Sequence, residues 1–521
     1  MKALLAIALI GGLGAAGSTW ATEPAALLYQ AHCARCHGVE RLGGMGPALL
    51  PENLGRLKKA EALAVIRDGR ALTQMPGFQG LLDDASLQAL ADYLYTPPAT
   101  PPRWGLDEIR ASHTLAHTPD SLPDKPLHSA DPLHLFVVVE LGDHHITILD
   151  GDRLEPLHRF ATRPNLHGGP KFSPDGRYVY LCSRDGWVSK FDLYSLQTVA
   201  EIRAGINARN LAVSADGRTV MVANYLPHTL VALSADDLSP LKVIPVDDGQ
   251  GHTSRVSAVY TAAPRHSFIA ALKDLKEVWE IPYNEQAEPV YQGVMHDYRS
   301  ESGEASLIDR RPLPVRRIAV DDYLDDFFFD PSYQHLIGAS RDGGRGQVVN
   351  LVVGRPIASV ALPGLPHLGS GITWEYQGRS VLATPNLKEG VVSIIDLQSW
   401  QTLRRIPTLG PGFFLRSHEN SPYAWVDNSF APGVARETLQ LIDKRTLEVV
   451  KSLRPAPGKT AAHVEFTHDG RYALVSVADW DGALVVYDAA TLEEVKRLPM
   501  RKPSGKYNVS NKINRSSGTS H

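Results

Sequence analysis

A turn flanked by strand-forming residues recurs along this chain: FSPDGRYVYL (172–181), VSADGRTVMV (213–222), FTHDGRYALV (466–475) and, more weakly, FDPSYQHLIG (329–338). Asp-Gly between alternating apolar residues marks a tight connection between antiparallel strands. A strand-turn-strand half-unit accompanies it at 186–202, 228–244, 390–406, 437–453 and 482–498, as in GALVVYDAATLEEVKRL. Less regular copies read HHITILDGDRLEPLHRF, HSFIAALKDLKEVWEI and GQVVNLVVGRPIASV. A unit of about 40 to 50 residues with four short strands cannot bury its own faces. It must stack on neighbours around an axis, which gives a β-propeller. The repeats predict an all-β eight-bladed propeller over 125–510, with seven blades as the neighbouring count. The segment KPSGKYNVSN should return to the first blade or cover the channel mouth, and 511–521 reads as a disordered tail.

The N-terminal part is of another kind. Residues 1–21 read as a signal peptide, with Lys2 before an apolar run over 3–16 and small residues around Ala21. The run is short for a membrane span, and no other stretch is long and apolar enough, so a periplasmic protein is expected. A net charge of −4 with 21% charged residues leaves no nucleic-acid footprint. Residues 22–97 predict a small all-α, class I cytochrome c domain, built around C-A-R-C-H. On a helix, positions i, i+3 and i+4 share a face, so Cys33 and Cys36 reach the two vinyl groups of one heme while His37 ligates its iron. A redox dithiol needs no following His, and no second C-x-x-C is present to complete a zinc site. The second axial ligand is expected to be Met75, in TQMPGF, with Met45 as the alternative. With two of the three cysteines bound to heme, Cys182 is left as a small buried hydrophobe. The prolines of PPATPPRW make residues 98–124 a stiff connector.

Taken together, CARCHGVERLG, the MPGF loop, PPATPPRWGLDEIRAS, LHGGPKFSPDGRYVYLCSRDG, GINARNL, LPHLGSG and PSGKYNVSN resemble the cytochrome cd1 family, over nearly the whole mature chain. That family joins a c-type cytochrome to a propeller that binds heme d1. The resemblance implies that His167 is the proximal heme d1 ligand. It implies that Arg184, Arg209 and Tyr225 hold the carboxylates of the macrocycle, with Arg163 a weaker candidate and Tyr507 lining the pocket. The family's nitrite reductases place two distal histidines over the iron. Here one is matched by His367, whereas the other falls near Leu324-Asp325-Asp326, and no His occurs between His296 and His335. Ser370 also departs from the pattern of the loop that contains it.

Half of a proton-delivering pair is therefore absent. This pattern is similar to the family's c-heme-containing maturation branch, and implies a dihydro-heme d1 dehydrogenase that desaturates a propionate to an acrylate. Heme d1 or its dihydro form would be substrate and product, and electrons would pass to the chain's own heme c and on to a periplasmic acceptor. Transient contact with the nitrite reductase and other heme d1 maturation proteins would follow. Within this reading His367 is a distal ligand or pocket residue. His463, in AAHVEFTHDG, is the candidate base, and His418 is its rival.

Overall fold

The computed structural model describes residues 22–55, 57–70, 73–296, 304–341 and 344–514. The expected signal peptide lies outside them.

Among the described residues, the cytochrome domain is five short helices packed around one cluster, Pro51–Leu54 being the shortest with Ala34–His37. Thr22–His32 and Asp84–Leu94 cross each other, with Ala34–His37 and Lys59–Asp68 beside them. Tyr29, Cys33, Leu87, Leu90 and Ala91 are buried between them. The last helix starts where Asp83 accepts from Ser86 N at 2.8 Å, a cap that satisfies one of the unpaired N–H groups at a helix start.

The connector is less linear than its prolines suggest. It carries a helix, Leu106–Ala111, and a short strand, Thr114–Leu115, that pairs with Gln197–Arg203. The indole of Trp104 donates to Arg203 O at 3.0 Å, so the segment is fastened along the rim of a blade.

Eight antiparallel sheets follow, each of four propeller strands. Their inner strands face the axis, and apolar side chains alternate between neighbouring blades, so the core is a ring of inter-blade clusters. A hairpin, Tyr291–His296 with Glu304–Ile308, stands outside the blade order. The ring closes by exchange. The strand Pro503–Asn508 is the inner strand of the sheet whose other strands begin at Phe136, pairing Phe136 with Asn508 and Val137 with Tyr507. The tail boundary at 511 needs correction. The helix Val509–Ile513 continues directly from the closing strand, and Asn511 is 1% exposed because its amide donates to Phe466 O at 2.9 Å. Residues 515–521 lie outside the described residues.

Candidate functional site

In the cytochrome domain, His37 is buried and hydrogen-bonded through Nδ1 to Pro47 O at 2.8 Å, which leaves Nε2 on the opposite side of the ring for a ligand. Gly46 permits this ring position, since a Cβ there would fall 2.4 Å from His37 Cε1. Burial holds the imidazole below its ordinary pKa, so it is neutral and fit to ligate. Cys36 lies on the same short helix as His37, and Cys33 is that helix's N-cap. Met75 packs on the cytochrome core, whereas Met45 Sδ points outward, 3.3 Å from His144 Nε2 of the propeller.

The second centre lies in the propeller channel. His167 occupies the loop before the inner strand Lys171–Phe172. Its Nδ1 donates to Arg209 O at 2.7 Å, and its Nε2 accepts from Arg184 at 2.8 Å. His367 comes from a blade farther round the ring, with Nδ1 donating to Phe413 O at 2.8 Å and its ring tilted over Phe413 at 4.0 Å. The two histidines are electrostatically coupled and both are held below their ordinary pKa, chiefly by burial. Each is thus a neutral imidazole whose Nδ1 is fixed by a backbone carbonyl; Nε2 of His367 is left for a ligand, and Nε2 of His167 would exchange its Arg184 contact for one, an arrangement suited to metal ligation.

Around them stands a cationic wall. Tyr225 Oη accepts from Lys273 at 2.9 Å, and the guanidinium groups of Arg184 and Arg255 lie 6.0 and 5.7 Å from its ring. Burial alone would push the phenol up, but Arg209, Lys273 and Arg184 bring it down to about 8. Burial and Arg209 bring Arg184 down to about 10. Among the described residues, Arg255 pairs with Asp274 at 2.7 Å and Lys273 with Asp325 at 3.4 Å, while no salt bridge joins Arg184 or Arg209 to a carboxylate. Half-buried guanidinium groups with no carboxylate partner favour the arrival of an anion. The wall therefore suits a polycarboxylate macrocycle.

Three expectations change here. Arg163 does not face the channel. It forms a bidentate pair with Glu201 at 3.1 and 2.6 Å and stacks 3.8 Å over Trp187, because Glu201 on the outer strand captures it at the rim. His418 sits in the turn Ser417–Ser421, where Nε2 is bonded to His468 O at 3.2 Å and Nδ1 accepts from Asn420 N at 3.1 Å, at the far end of its inner strand. His463 is inside, but it is 0% exposed. A bulge between Ala462 and Val464, with φ +47° at His463, turns its ring inward. There it packs against Phe414, and its Nε2 has no hydrogen-bond partner. Tyr507 lies in front of it, with ring centroids 5.3 Å apart, and is only partly buried. The group that meets the channel is thus the phenol, with the imidazole behind.

Asp325 and Asp326, near which the second distal His is expected, have contacts of their own. Asp326 accepts from Tyr260 Oη at 3.1 Å and from Gly369 N at 2.9 Å, which secures the turn after His367. Sequence reasoning missed Lys273, Arg255 and Lys506. Each is a lone basic residue at a strand end or in a closing strand, and its sequence neighbours carry no signal that it turns inward.

The cytochrome domain covers this same face of the propeller. Gly43 N donates to His37 O at 2.9 Å, and the next contact, Arg203 to Leu42 O, is also 2.9 Å. Arg203 Nε donates in turn to Asp185 O at 2.7 Å, beside the Arg184 that reaches His167. Lys502 meets Thr73 O at 2.8 Å on the other flank. A short bonded path thus joins the two histidine centres.

Comparison with known proteins agrees with this geometry. The model for the cytochrome D1 heme domain matches residues 130–296 and 300–512, and that for cytochrome C oxidase, cbb3-type, subunit III matches residues 21–94. A dihydro-heme d1 dehydrogenase of Pseudomonas aeruginosa is 57% identical over 513 residues, covering 98% of each chain. A nitrite reductase of Stutzerimonas stutzeri is 24% identical over 94% of this chain and 93% of its own. The solved structure of dihydro-heme d1 dehydrogenase NirN in complex with DHE superposes with a TM-score of 0.81 at 58% identity, over 94% of this chain and all of that one. This chain, a c-type cytochrome joined to an eight-bladed propeller, belongs to the cytochrome D1 heme domain family.

Proposed function

We propose that the protein is a periplasmic dihydro-heme d1 dehydrogenase that completes heme d1 by turning a propionate into an acrylate. The observation that carries this reading is the pair His167 and His367, close enough to interact electrostatically and each with Nδ1 tied to a carbonyl, beneath a c-type cytochrome. The relative that matches along almost its whole length bears that activity in its name.

The reaction takes –CH2–CH2–COO⁻ to –CH=CH–COO⁻. Two C–H bonds break, one C=C bond forms, and two protons and two electrons leave. Cys33, Cys36, His37 and Met75 would hold heme c, which would supply a one-electron outlet, used twice, toward a one-electron periplasmic acceptor outside the chain. The chain's own residues do the rest. His167 and His367 bind and centre the substrate. Arg184, Arg209, Lys273 and Tyr225 fix its carboxylates and so its rotation. Tyr507 meets the reacting side chain and His463 behind it receives the proton. His463 is suited to this because burial first, then Lys506 and Arg416, keep it neutral. Export by residues 1–21 and brief docking with the nitrite reductase that uses the product belong to the same reading.

Tyr507→Phe and His463→Ala separate the two roles. Both variants should bind dihydro-heme d1 with the wild-type absorbance change. Reduction of heme c after anaerobic mixing should fall at least tenfold in each variant. Wild-type rates in Tyr507→Phe would remove it from the reaction. A nitrite reductase is disfavoured because the segment Leu324-Asp325-Asp326, near which the family's second distal His is expected, has no His.

A further inference from the structure

The proposed dehydrogenation must dispose of two protons from a site roofed by the cytochrome domain. The channel beneath the site contains ionisable groups with no part in holding the substrate. The inner strand Ala461–Phe466 carries His463 and, two residues on, Glu465. The neighbouring closing strand carries Lys506, and the helix after it carries Lys512. Glu465 and Lys506 are 0% exposed. Lys506 Nζ lies 3.4 Å from His463 Nδ1 and donates to His463 O. Glu465 Oε1 accepts from Phe466 N at 3.2 Å and Asn511 Nδ2 at 3.4 Å, while Oε2 has no hydrogen-bond partner and stands 3.9 Å from Lys512 Nζ.

Lys512 lines a cavity of about 550 Å³ at the other mouth of the channel. Inner strands that begin near the substrate site end there. Asn207–Val213 runs from Arg209 to the cavity wall at Ala215, and the strand after His167 runs to Pro174. Pro174, Ala215 and Pro331 on that wall are exposed, so the cavity communicates with solvent.

We infer that His463, Lys506, Glu465 and Lys512 form a proton exit that carries both protons from the substrate pocket through the propeller axis to the cavity on the opposite face. This rests on the dehydrogenase reading. The steps transfer protons only: each group takes one from the neighbour above and passes one below, and water in the cavity receives it. The 3.9 Å gap between Glu465 and Lys512, and the longer one between Lys506 and Glu465, whose charges interact without direct contact, are spans that bridging waters close.

Burying these charges is poor engineering for stability alone, since apolar residues of like volume are commonly as good or better. Their environment suits transfer instead. Glu465 is faced by Arg416, Lys506 and Lys512, with Tyr507 and Asp427 close by. Burial holds Lys506 well below its ordinary value and brings Lys512 down to about 7, so these ammonium groups release protons readily near neutral pH.

The test compares the wild-type holoprotein, Glu465→Gln and Lys512→Met, each mixed anaerobically with dihydro-heme d1. Substrate affinity by absorbance should stay within about twofold of wild type. Heme c reduction should slow at least tenfold in Glu465→Gln, with a larger solvent deuterium isotope effect. The infrared carboxyl difference signal on substrate binding should vanish in the same variant. Lys512→Met carries the same rate prediction should Glu465→Gln fail to fold. Wild-type rates and isotope effects in a folded variant with a normal c-heme spectrum would overturn the exit. Failure of the wild-type protein to oxidise the substrate would instead overturn the dehydrogenase reading.

Discussion

Gly169→Ala probes the assembly of the pocket with a single methyl group. Gly169 follows His167-Gly168 and has φ +69°, in the region that an L-residue enters at a cost of roughly 1–2 kcal/mol. Its Cβ would lie 3.1 Å from Tyr507 Cε1 and Oη and 3.2 Å from Cζ. Those contacts are a few tenths of an ångström too short, so the ring must shift. Retreat is restricted, because a Cβ on Gly505 would fall 2.4 Å from the same oxygen and the His463 ring is 5.3 Å away. Strain and contact together should cost about 2 kcal/mol of stability. A displacement of 1 Å near reacting atoms costs on the order of 100-fold in rate, so a shift of several tenths should cost about tenfold. Denaturant unfolding measures the first effect, and single-turnover heme c reduction measures the second. The c-heme spectrum should not change. Unaltered stability and an unaltered rate would refute the close packing of Tyr507 on the His167 loop.

Other outcomes follow from the same contacts. Met75→Ala should shift the heme c reduction potential and abolish the methionine–iron absorption band, whereas Met45→Ala, which loses only the contact to His144, should keep both; the reverse pattern would exchange the ligands. Truncation after Lys502 removes an inner strand and the fully buried Val509, so the propeller should fail to close and yield no monodisperse protein. Lys512 is brought down from 10.5 to about 7 in the fold. Between those values the unfolded chain binds a proton that the folded chain does not, so this residue makes stability rise with pH across that window. Lys512→Met should flatten the rise in denaturant midpoints measured from pH 7 upward, and an unchanged slope would contradict it.

Much of this was legible in sequence for physical reasons. The D-G turns and alternating strands force a propeller, and all eight repeat units appear as blades. C-A-R-C-H marks the domain that the cytochrome match covers, and the Gly-rich loop carries His167 to the channel beside Arg209. Rim and channel positions were harder to separate, because both follow strand ends. Arg163 and Arg184 look alike in sequence, but Glu201 holds one at the rim while His167 receives the other. His463 owes its inward turn to a bulge, and Tyr507 its place to a strand exchanged across more than 350 residues, from Val137 to the C-terminal segment. Neither local pattern encodes these positions.

The central claim is that this pocket removes hydrogen from its tetrapyrrole and passes the electrons to its own cytochrome. The most direct measurement is the mass of pigment extracted after anaerobic incubation of the oxidised protein with dihydro-heme d1. Pigment lighter by two hydrogens, with heme c reduced in the same sample, is the predicted result. Pigment recovered at its original mass, bound and exchangeable but unoxidised, would contradict the account and leave a heme d1 carrier in its place.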